Sequence, residues 1–440
     1  MQRALLAFAL VLGLVVPAPA QAPTGGTDAV LAATLENGLR VLLLEDHRSP
    51  IVSAQLWYRV GSRNERSGAT GIAHFLEHLM FKGTHRFGPR QYARLVEQNG
   101  GQDNAFTSQD LTSYFVNIAA DKIDLVLDLE ADRMRNLLLD PREIAGEREV
   151  VIEERRTRTE DDPEGFLGEE VGSLAFKAHP YGAPIIGWMG DIRRITPAEI
   201  RAFYDVYYVP NNAILVMVGD FQAPAVLDKV KQRFGTIARG AEPPPVLAVE
   251  PVQNGERRAV VRKQAKLPIV YLAWHVPSQK STDAPALEVL STILSGGRAS
   301  RLYRSLVYDR QLALEAGGDY SYFSLDPNLF WFWATAMPGQ TPETLEKALL
   351  EEMERLGTEP VTAEELMRAR NQIEAQFVFQ QDSVYRRAAL LARFETIGGY
   401  RLLDTYVTLI RTVTAADVQR VARTYFPVDR KTVGVLLPLP

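Results

Sequence analysis

The sequence predicts an α+β protein of two related domains, each a β-sheet flanked by helices, and three observations lead to this fold class. Both halves of the chain begin with similar apolar runs, SPIVSAQLWYRVGS at 49–62 and LPIVYLAWHVPS at 267–278. Each run is followed by a helical pattern, and each half ends in an apolar strand. The proline-rich stretch 240–245 lies between the halves and predicts a stiff, extended linker. We therefore expect a duplicated unit of about 200 residues.

These patterns assign the first domain to residues 29–239, the linker to 240–253 and the second domain to 254–440. In the first domain, apolar periodicity predicts helices at 70–81, 90–99 and 121–138 and a late strand at 213–219. In the second, it predicts helices at 284–294, 342–356 and 363–381 and a late strand at 432–437. Thr341 is the expected cap of the second of these helices, because Pro342 suits a first helical position.

The composition of the 440-residue chain is that of a soluble globular protein, with 46% hydrophobic and 23% charged residues. A net charge of −5 gives no electrostatic footprint for nucleic acid. The chain has no cysteine, which excludes disulfides, thiolate metal sites, iron–sulfur clusters and a cysteine nucleophile.

Residues 1–22 have the pattern of a secretory signal peptide: a basic start, an apolar run at 4–16, and small residues around Ala20 and Ala22. The alternative is a membrane anchor, although the run is short for a span. We expect an exported, periplasmic protein whose mature chain has no stable membrane span.

The strongest chemical signal is the motif His74-Phe75-Leu76-Glu77-His78. Two histidines at i and i+4 on a helix project from one face, so both can reach one cation. Glu77 lies beside them and can accept a proton from a metal-activated water. The order matches the H-x-x-E-H pattern of inverted zincins. The alternative is a hydrogen-bonded pair of core histidines.

An acidic helix at 147–156 supplies the candidate third ligand. Glu147, Val150, Val151 and Glu154 are predicted on one face, and Glu153 is rotated away toward solvent. Carboxylates on a buried stripe need a cationic partner. A metal would provide it for Glu154, while Glu147 could orient a histidine. An ordinary charged surface helix is the alternative.

A third segment follows Gly100 and Gly101 and predicts a single strand at 104–118. Peptidases often bind extended substrates by strand addition to an exposed sheet edge. A plain strand within the sheet is the alternative.

Together these segments resemble the M16 (pitrilysin-like) metallopeptidases, especially the short two-domain type that includes bacterial processing-type peptidases and the mitochondrial processing peptidase. Glu154 lies 76 residues after His78, which is the family's spacing for its third ligand. The matching segments occur in the family's order and span most of the mature chain: GIAHFLEHLMFKGT (71–84), NAFTSQDLTSY (104–114), EREVVIEE (147–154), HPYGAPIIGWMGDI (179–192), YVPNNAILVMVGD (208–220) and SGGRASRL (295–302).

The resemblance implies two domains enclosing an active site and one zinc ion per chain, bound by His74, His78 and Glu154. It also implies that Glu77 is the catalytic base and that Glu147 supports the site. The substrate-binding residues that it implies are Asn104, Ala105, Phe106 and Arg301.

The chain departs from the family at one position. Active single-chain relatives follow S-R-L with L-A-Y, whereas here Ser300-Arg301-Leu302 is followed by Leu312-Ala313-Leu314. Because Leu314 replaces the tyrosine, the resemblance implies a heterodimer with a paralogue that lacks the zinc motif and carries the Arg/Tyr pair. The alternative is a homodimer in which Tyr308 or Tyr320 substitutes.

The sequence therefore predicts an exported zinc-dependent endopeptidase that cleaves peptides or unfolded polypeptides by metal-activated water, with a glutamate general base. Two other functions stay open. One is a non-catalytic scaffold subunit, which the intact H-x-x-E-H motif opposes. The other is a zinc hydrolase of a different substrate class.

Overall fold

A computed structural model describes residues 27–439 as two β-sheets with helices on both faces. The predicted signal peptide lies outside the described residues. Within residues 27–439, no helix is long and apolar enough to cross a membrane. The mixed α+β class and the two sheet-and-helix units predicted from the sequence are confirmed.

The first half of the chain forms a six-stranded sheet in the order β1-β2-β6-β3-β5-β4. Its strands are β1 (Leu31–Thr34), β2 (Arg40–Glu45), β3 (Ile51–Tyr58), β4 (Gln102–Thr107), β5 (Thr112–Ala119) and β6 (Ala213–Gly219). Its helices are α1 (Ile72–Leu79), α2 (Gln91–Gln98), α3 (Ile123–Arg135), α4 (Pro141–Arg155), α5 (Pro163–Ala175), α6 (Met189–Ile192), α7 (Pro197–Tyr207) and α8 (Ala223–Phe234).

The second half forms a five-stranded sheet in the order β7-β11-β8-β10-β9. Its strands are β7 (Arg257–Lys263), β8 (Ile269–Val276), β9 (Ala313–Tyr320), β10 (Asn328–Ala336) and β11 (Thr432–Pro438). Its helices are α9 (Ala284–Ser295), α10 (Pro342–Thr358), α11 (Ala363–Phe379), α12 (Val384–Ile397), α13 (Leu402–Thr412) and α14 (Ala415–Tyr425). The Thr341 side chain accepts a hydrogen bond from the Thr344 N–H, as its predicted role as a cap requires.

The two sheets share one topology. Strand β2 pairs in parallel with β6, and β7 pairs in parallel with β11. The next three strands of each sheet follow in the same order with antiparallel pairing. Strand β1 is the one addition in the first sheet. This correspondence is the structural form of the duplication predicted from the two apolar runs.

The strand predicted at 104–118 is wrong as a single element, because the structure divides it into β4 and β5. The hydroxyl of Ser108 accepts hydrogen bonds from the N–H groups of Asp110 and Leu111, at 3.3 and 3.2 Å. This local hydrogen bonding turns the chain back on itself. Strand β4 consequently lies at the edge of the first sheet.

Each half also covers one face of the other half's sheet. Helix α12, from the second half, packs Ala388 and Leu391 against β6 and β3 of the first sheet. Helix α5, from the first half, packs Leu167 and Val171 against β11 of the second sheet. Gly434 in β11 has no room for a side chain, since a Cβ there would overlap Val171. This exchange of helices ties the two halves together.

We predict that Leu167→Ala destabilises both halves, because Leu167 is fully buried where α5 crosses onto the second sheet. A large-to-small change at such a position costs about 2–5 kcal/mol. In urea unfolding, the transition followed by circular dichroism and the transition followed by tryptophan fluorescence should shift together to lower urea concentration. Val150→Ala is the control: Val150 is 50% exposed, and its loss should change stability by less than about 0.5 kcal/mol. Separate transitions, with only one shifted, would contradict the prediction.

Candidate metal centre and active site

Helix α1 carries both histidines of the motif on its buried side. It begins after Gly71, whose φ of 86° lies in the left-handed region, and most of its residues are buried. His74 and His78 lie one turn apart, with ring centroids separated by 4.7 Å. Only 10% and 20% of their side chains are exposed. The i, i+4 spacing therefore places the two imidazoles side by side at one edge of the core.

Helix α4 brings a carboxylate to the same point. The Oε2 atom of Glu154 lies 3.3 Å from His78 Nε2 and 3.7 Å from His74 Nε2. Candidate ligand atoms of the three residues all lie within 4.8 Å of one another. Within residues 27–439, no other group of three histidine, aspartate or glutamate side chains converges in this way.

The donor set and its spacing fit zinc. Zinc holds histidine nitrogen and carboxylate oxygen at about 2.0–2.2 Å in a tetrahedral arrangement, so neighbouring ligand atoms lie about 3.4 Å apart. The two Nε2–Oε2 distances, 3.3 and 3.7 Å, are close to that value. Two imidazoles and one carboxylate would leave the fourth position open, as is typical of catalytic zinc sites.

Glu147 lies behind His78, on the side away from Glu154. Its Oε1 atom is 2.9 Å from His78 Nδ1, and its other oxygen pairs with Lys82. Burial by itself would lower the pKa of His78, but the hydrogen bonds to Glu147 and Glu154 raise it to about 9. A neutral His78 would donate its Nδ1 proton to Glu147, which leaves Nε2 free to bind a metal.

Glu77 lies beside the histidines and is held by β4. The Thr107 hydroxyl donates a hydrogen bond to Glu77 Oε2 at 2.5 Å. Burial raises the pKa of the Glu77 carboxyl above its ordinary value, although the hydrogen bond from Thr107 lowers it in part. A raised pKa suits a carboxylate that must take up and release a proton near neutral pH.

The predicted stripe on α4 needs one correction. Glu147 and Val151 are buried as expected, but Val150 is 50% exposed. At 100° per residue, the buried face centres on Ile144, Val151 and Arg155, and Val150 lies well outside it. Glu153 lies on the opposite side, and 67% of its side chain is exposed.

One segment joins the start of α1 to the end of α4. The N–H and hydroxyl of Thr70 donate to Asp191, at 3.2 and 2.7 Å. Arg155, which follows Glu154, donates to the carbonyl of Gly187 at 2.7 Å and forms a bidentate pair with Glu169. The loop from Gly187 to Asp191, whose last three residues begin α6, therefore connects the start of α1 to the end of α4.

The Glu65 carboxylate caps the start of α1. Its carboxylate oxygens accept hydrogen bonds from the N–H groups of Gly71 and Ala73, both at 2.8 Å. Burial raises the pKa of Glu65 to about 8, against the lowering effect of those two N–H groups. The first N–H groups of a helix have no partner within the helix, so a carboxylate in this position also fixes the helix start.

A cavity of about 740 Å³, here named the metal-side cavity, opens over the candidate metal ligands. Its described lining comes entirely from the first half of the chain. It adjoins a cavity of about 330 Å³ that both halves line, through shared residues Glu169, Pro184 and Ile185. The larger cavity is lined by His74, Glu77, His78, Asn104–Thr107, Glu154, Arg158, Thr159, Glu169 and Pro184–Ile186.

Three of the predicted substrate-binding residues lie in β4, along this cavity. Asn104, Ala105 and Phe106 all line it, and β4 pairs with β5 on one side only. The N–H of Ala105 is bonded to the side chain of Asn104 at 2.8 Å, and not to β5. That N–H therefore lies on the open edge of β4. A peptide strand bound there could accept its hydrogen bond in place of Asn104 Oδ1.

Arg301, the fourth such residue, does not line this cavity. Its guanidinium forms a bidentate pair with Glu365, at 2.7 and 2.9 Å. Leu314 is 47% exposed on the edge strand β9. Tyr308 is 63% exposed and Tyr320 is buried, with its hydroxyl bonded to the carbonyl of Pro277. None of the four is part of the described lining of the metal-side cavity.

The prediction from sequence gave Thr107, Arg155 and Arg158 no role at the metal centre. The hydrogen bonds from Thr107 to Glu77 and from Arg155 to Gly187 join residues distant in sequence, so no local pattern predicts them. Arg158 had a signal, because it lies four residues after Glu154 and so shares a helical face with it.

Two family models match the chain. The model described as insulinase (peptidase family M16) matches residues 40–188, and the model described as peptidase M16 inactive domain matches residues 194–373. The zinc protease PqqE of Helicobacter pylori is 35% identical over 412 residues, covering 92% of each chain. An uncharacterised zinc protease of Mycobacterium leprae is 29% identical over 398 residues, covering 89% of this chain and 88% of its own.

Solved structures have the same fold. The crystal structure of a protease from Helicobacter pylori superposes with a TM-score of 0.90 at 34% identity, covering 93% of this chain and 99% of that one. The periplasmic protease PqqL of Escherichia coli superposes at 0.76 with 18% identity, covering 94% of this chain and 48% of that one. At that identity the likeness to PqqL concerns the fold alone.

We predict that Gly187→Ala weakens zinc binding. Gly187 has a φ of 86°, and a Cβ there would overlap the carbonyl of Thr70 beside Gly71. The start of α1 must then move, and with it His74. Displaced support of a metal ligand typically costs about 10–100-fold in affinity.

Competition with a chromophoric chelator measures that affinity. The control is Gly190→Ala, three residues away, where a Cβ meets nothing within 4 Å. Equal zinc affinity in both variants would show that the loop does not position α1.

Proposed function

The chain belongs to the M16 family of peptidases, and from this premise we propose that it is an exported zinc endopeptidase acting on peptides or unfolded polypeptides. One observation carries the proposal: His74 Nε2, His78 Nε2 and Glu154 Oε2 converge beside the Glu77 carboxylate. This group lies at the open edge of β4, which suits an extended substrate.

In the proposed reaction, His74, His78 and Glu154 hold one zinc ion per chain, which supplies Lewis-acid activation of water and of the scissile carbonyl. Glu77 accepts one proton from the attacking water as the water oxygen bonds to the carbonyl carbon. The carbonyl π electrons move to its oxygen. As they return, the C–N bond breaks and Glu77 delivers the proton to the leaving nitrogen. Thr107 keeps the Glu77 carboxylate aimed at the cavity.

Glu147 has a supporting role in this proposal. Its bond to His78 Nδ1 sets the tautomer that presents Nε2, and Lys82 balances its charge. Such partners orient the ligand and tune its basicity. The β4 residues Asn104, Ala105 and Phe106 would contact the substrate through main-chain pairing and the cavity wall.

The scaffold alternative has one point in its favour: the second-half match is to a model described as inactive. That description concerns residues 194–373, whereas all the converging residues precede them. His275 is the one histidine after residue 193, so the second half cannot repeat the centre. The complete ligand set in the first half supports catalysis over a scaffold role.

Export to the periplasm is supported by the signal pattern at residues 1–22.

A heterodimer is supported by the state of the second half. Arg301 is engaged by Glu365, and Leu314 replaces the tyrosine, so the chain brings no Arg/Tyr pair to its metal-side cavity. We propose that a paralogous exported subunit lacking H-x-x-E-H supplies this pair. A homodimer using Tyr308 or Tyr320 is the alternative.

The metal assignment predicts different behaviour for ligands and base. His74→Ala, His78→Ala and Glu154→Gln should lose zinc and peptidase activity together. Glu77→Gln should retain about one zinc per chain and lose about 10²–10⁴ in turnover, because an amide cannot act as the base. Elemental analysis and hydrolysis of an unfolded peptide, with and without chelator, measure both properties.

Glu153→Gln is the matched control for Glu154→Gln, since it lies on the same helix with 67% of its side chain exposed. It should keep both zinc and activity. Loss of zinc in Glu77→Gln, or in Glu153→Gln but not Glu154→Gln, would overturn the assigned roles.

The proposed partner leads to a further prediction. The purified chain should bind zinc but hydrolyse peptides slowly, and its paralogue should raise the rate. One missing hydrogen-bond donor in the transition state costs about 10²–10³ in rate, so a gain of that order is expected. Size-exclusion chromatography and peptide hydrolysis measure assembly and rate. Full activity of this chain alone, unchanged by Leu314→Tyr, would instead favour the homodimer.

A further inference from the structure

Arg158 is the one lysine or arginine in the described lining of the metal-side cavity. Its Nη1 atom is 2.7 Å from Glu154 Oε1, the carboxylate oxygen that faces away from the histidines. Arg158, Glu77 and His74 line the same cavity. The proposed catalytic chemistry gives this residue no part.

The backbone around Arg158 is held in an unusual conformation. Residues Arg156–Glu160 form a π-helical turn that continues α4, closed by a hydrogen bond from the Asp161 N–H to the Arg156 carbonyl at 2.7 Å. Such wide turns are rare and occur often at functional sites.

Contacts from outside α4 keep this turn in place. The Arg158 carbonyl packs where a Cβ of Gly165 would be, so that position leaves no space for a side chain. From the second half, the Lys263 ammonium donates to the Glu160 carbonyl. The backbone of the turn is therefore held at Arg158 and at Glu160.

Stability does not account for the ion pair between Arg158 and Glu154. The Arg158 side chain is 72% exposed, and exposed i, i+4 ion pairs contribute little to stability. The remaining N–H groups of Arg158 have no other ion pair among the described residues. A guanidinium has five N–H donors in a rigid plane, so several can meet an oxygen in the cavity.

The proposed reaction needs a cationic or hydrogen-bonding group here. As water attacks, negative charge develops on the scissile carbonyl oxygen, and fixed donors aimed at that oxygen are among the largest contributors to catalysis. Arg301, Leu314, Tyr308 and Tyr320 are all absent from the described lining of this cavity. Arg158 is present in that lining together with Glu77, on a turn whose backbone is held by neighbouring residues.

We propose that Arg158 is a further catalytic residue, which donates hydrogen bonds to the scissile carbonyl oxygen as that oxygen becomes negatively charged. The inference rests on the proposed peptidase function. The donor moves no proton of its own: the water oxygen bonds to carbon, the π electrons pass to the carbonyl oxygen, and Glu77 holds the proton. A partner subunit would add contacts to the substrate without replacing this one.

The test compares Arg158→Met, Arg158→Lys and the control Arg156→Met. Arg156 is two residues away, pairs with Glu153 at 3.2 Å and does not line the cavity. Each zinc-loaded variant is assayed for kcat and KM on an unfolded peptide, with the paralogous subunit present if it raises the wild-type rate. Zinc affinity is measured by chelator competition.

Two binding measurements separate ground state from transition state. One is the affinity for a phosphinic peptide, whose tetrahedral phosphorus and its two oxygens resemble the carbonyl group after water has attacked it. The other is the affinity of the Glu77→Gln background for the uncleaved peptide. Arg158→Met should lower kcat and phosphinic-peptide affinity by about 10²-fold. KM, zinc affinity and uncleaved-peptide affinity should change by less than about threefold.

Arg158→Lys should recover part of the loss because it keeps the charge, and Arg156→Met should behave like the wild type. Unchanged kcat and phosphinic-peptide affinity in Arg158→Met would overturn the proposal. So would a loss of zinc affinity that accounts for the whole effect, since Arg158 would then act only through Glu154. A wild-type protein that binds zinc and the phosphinic peptide but cleaves nothing would refute the proposed function, while the binding comparison would still decide the role of Arg158.

Discussion

The structure around the site depends on one constraint: two helices distant in sequence must present three ligand atoms within a few ångströms. His74 and His78 come from α1 and Glu154 from α4, and the chain has no cysteine that could cross-link the two helices. The loop at Gly187–Asp191 meets this constraint through backbone contact with Thr70 and a hydrogen bond from Arg155. Cores are close-packed, so a displacement at this loop passes directly to the ligands.

The charges around the site follow from that packing. A buried carboxylate is costly unless it is paired and hydrogen-bonded. Here each has its own partner: Glu147 has His78 and Lys82, Glu169 has Arg155, and Glu65 has the N–H groups at the start of α1. Glu77 is the exception, because it has only the Thr107 hydroxyl, and burial raises its pKa. Of the three carboxylates of the candidate metal centre, Glu147 pairs with Lys82 and Glu154 with Arg158, whereas Glu77, the proposed base, has no lysine or arginine partner.

The sequence predicted what local geometry decides. The i, i+4 histidines and Glu77 occur on α1 as expected, and Glu154 was selected because a carboxylate beside buried valines needs a cation. The sequence predicts Val150 on the buried face, but the structure exposes it and buries Val151. Neighbouring residues on a helix point about 100° apart, and only packing decides which of them is buried. Where Arg301 points depends on Glu365, which lies 64 residues away and outside any local window of sequence. The turn at Ser108 is closed by hydrogen bonds to Asp110 and Leu111, so it had a local signal that the prediction of a single strand overlooked.

The second half of the chain contacts first-half segments that lead to the walls of the metal-side cavity. Helix α5 leaves the first half, covers β11 of the second sheet and returns the chain to the loop that carries Pro184–Ile186, which lines the cavity. Lys263 from β7 donates to the carbonyl of Glu160, at the end of the turn that carries Arg158. Both contacts stabilise cavity walls whose side chains belong to the first half. A duplicated domain that has no ligand set of its own can therefore be required for catalysis, because the exchanged helices hold the other domain's site in shape.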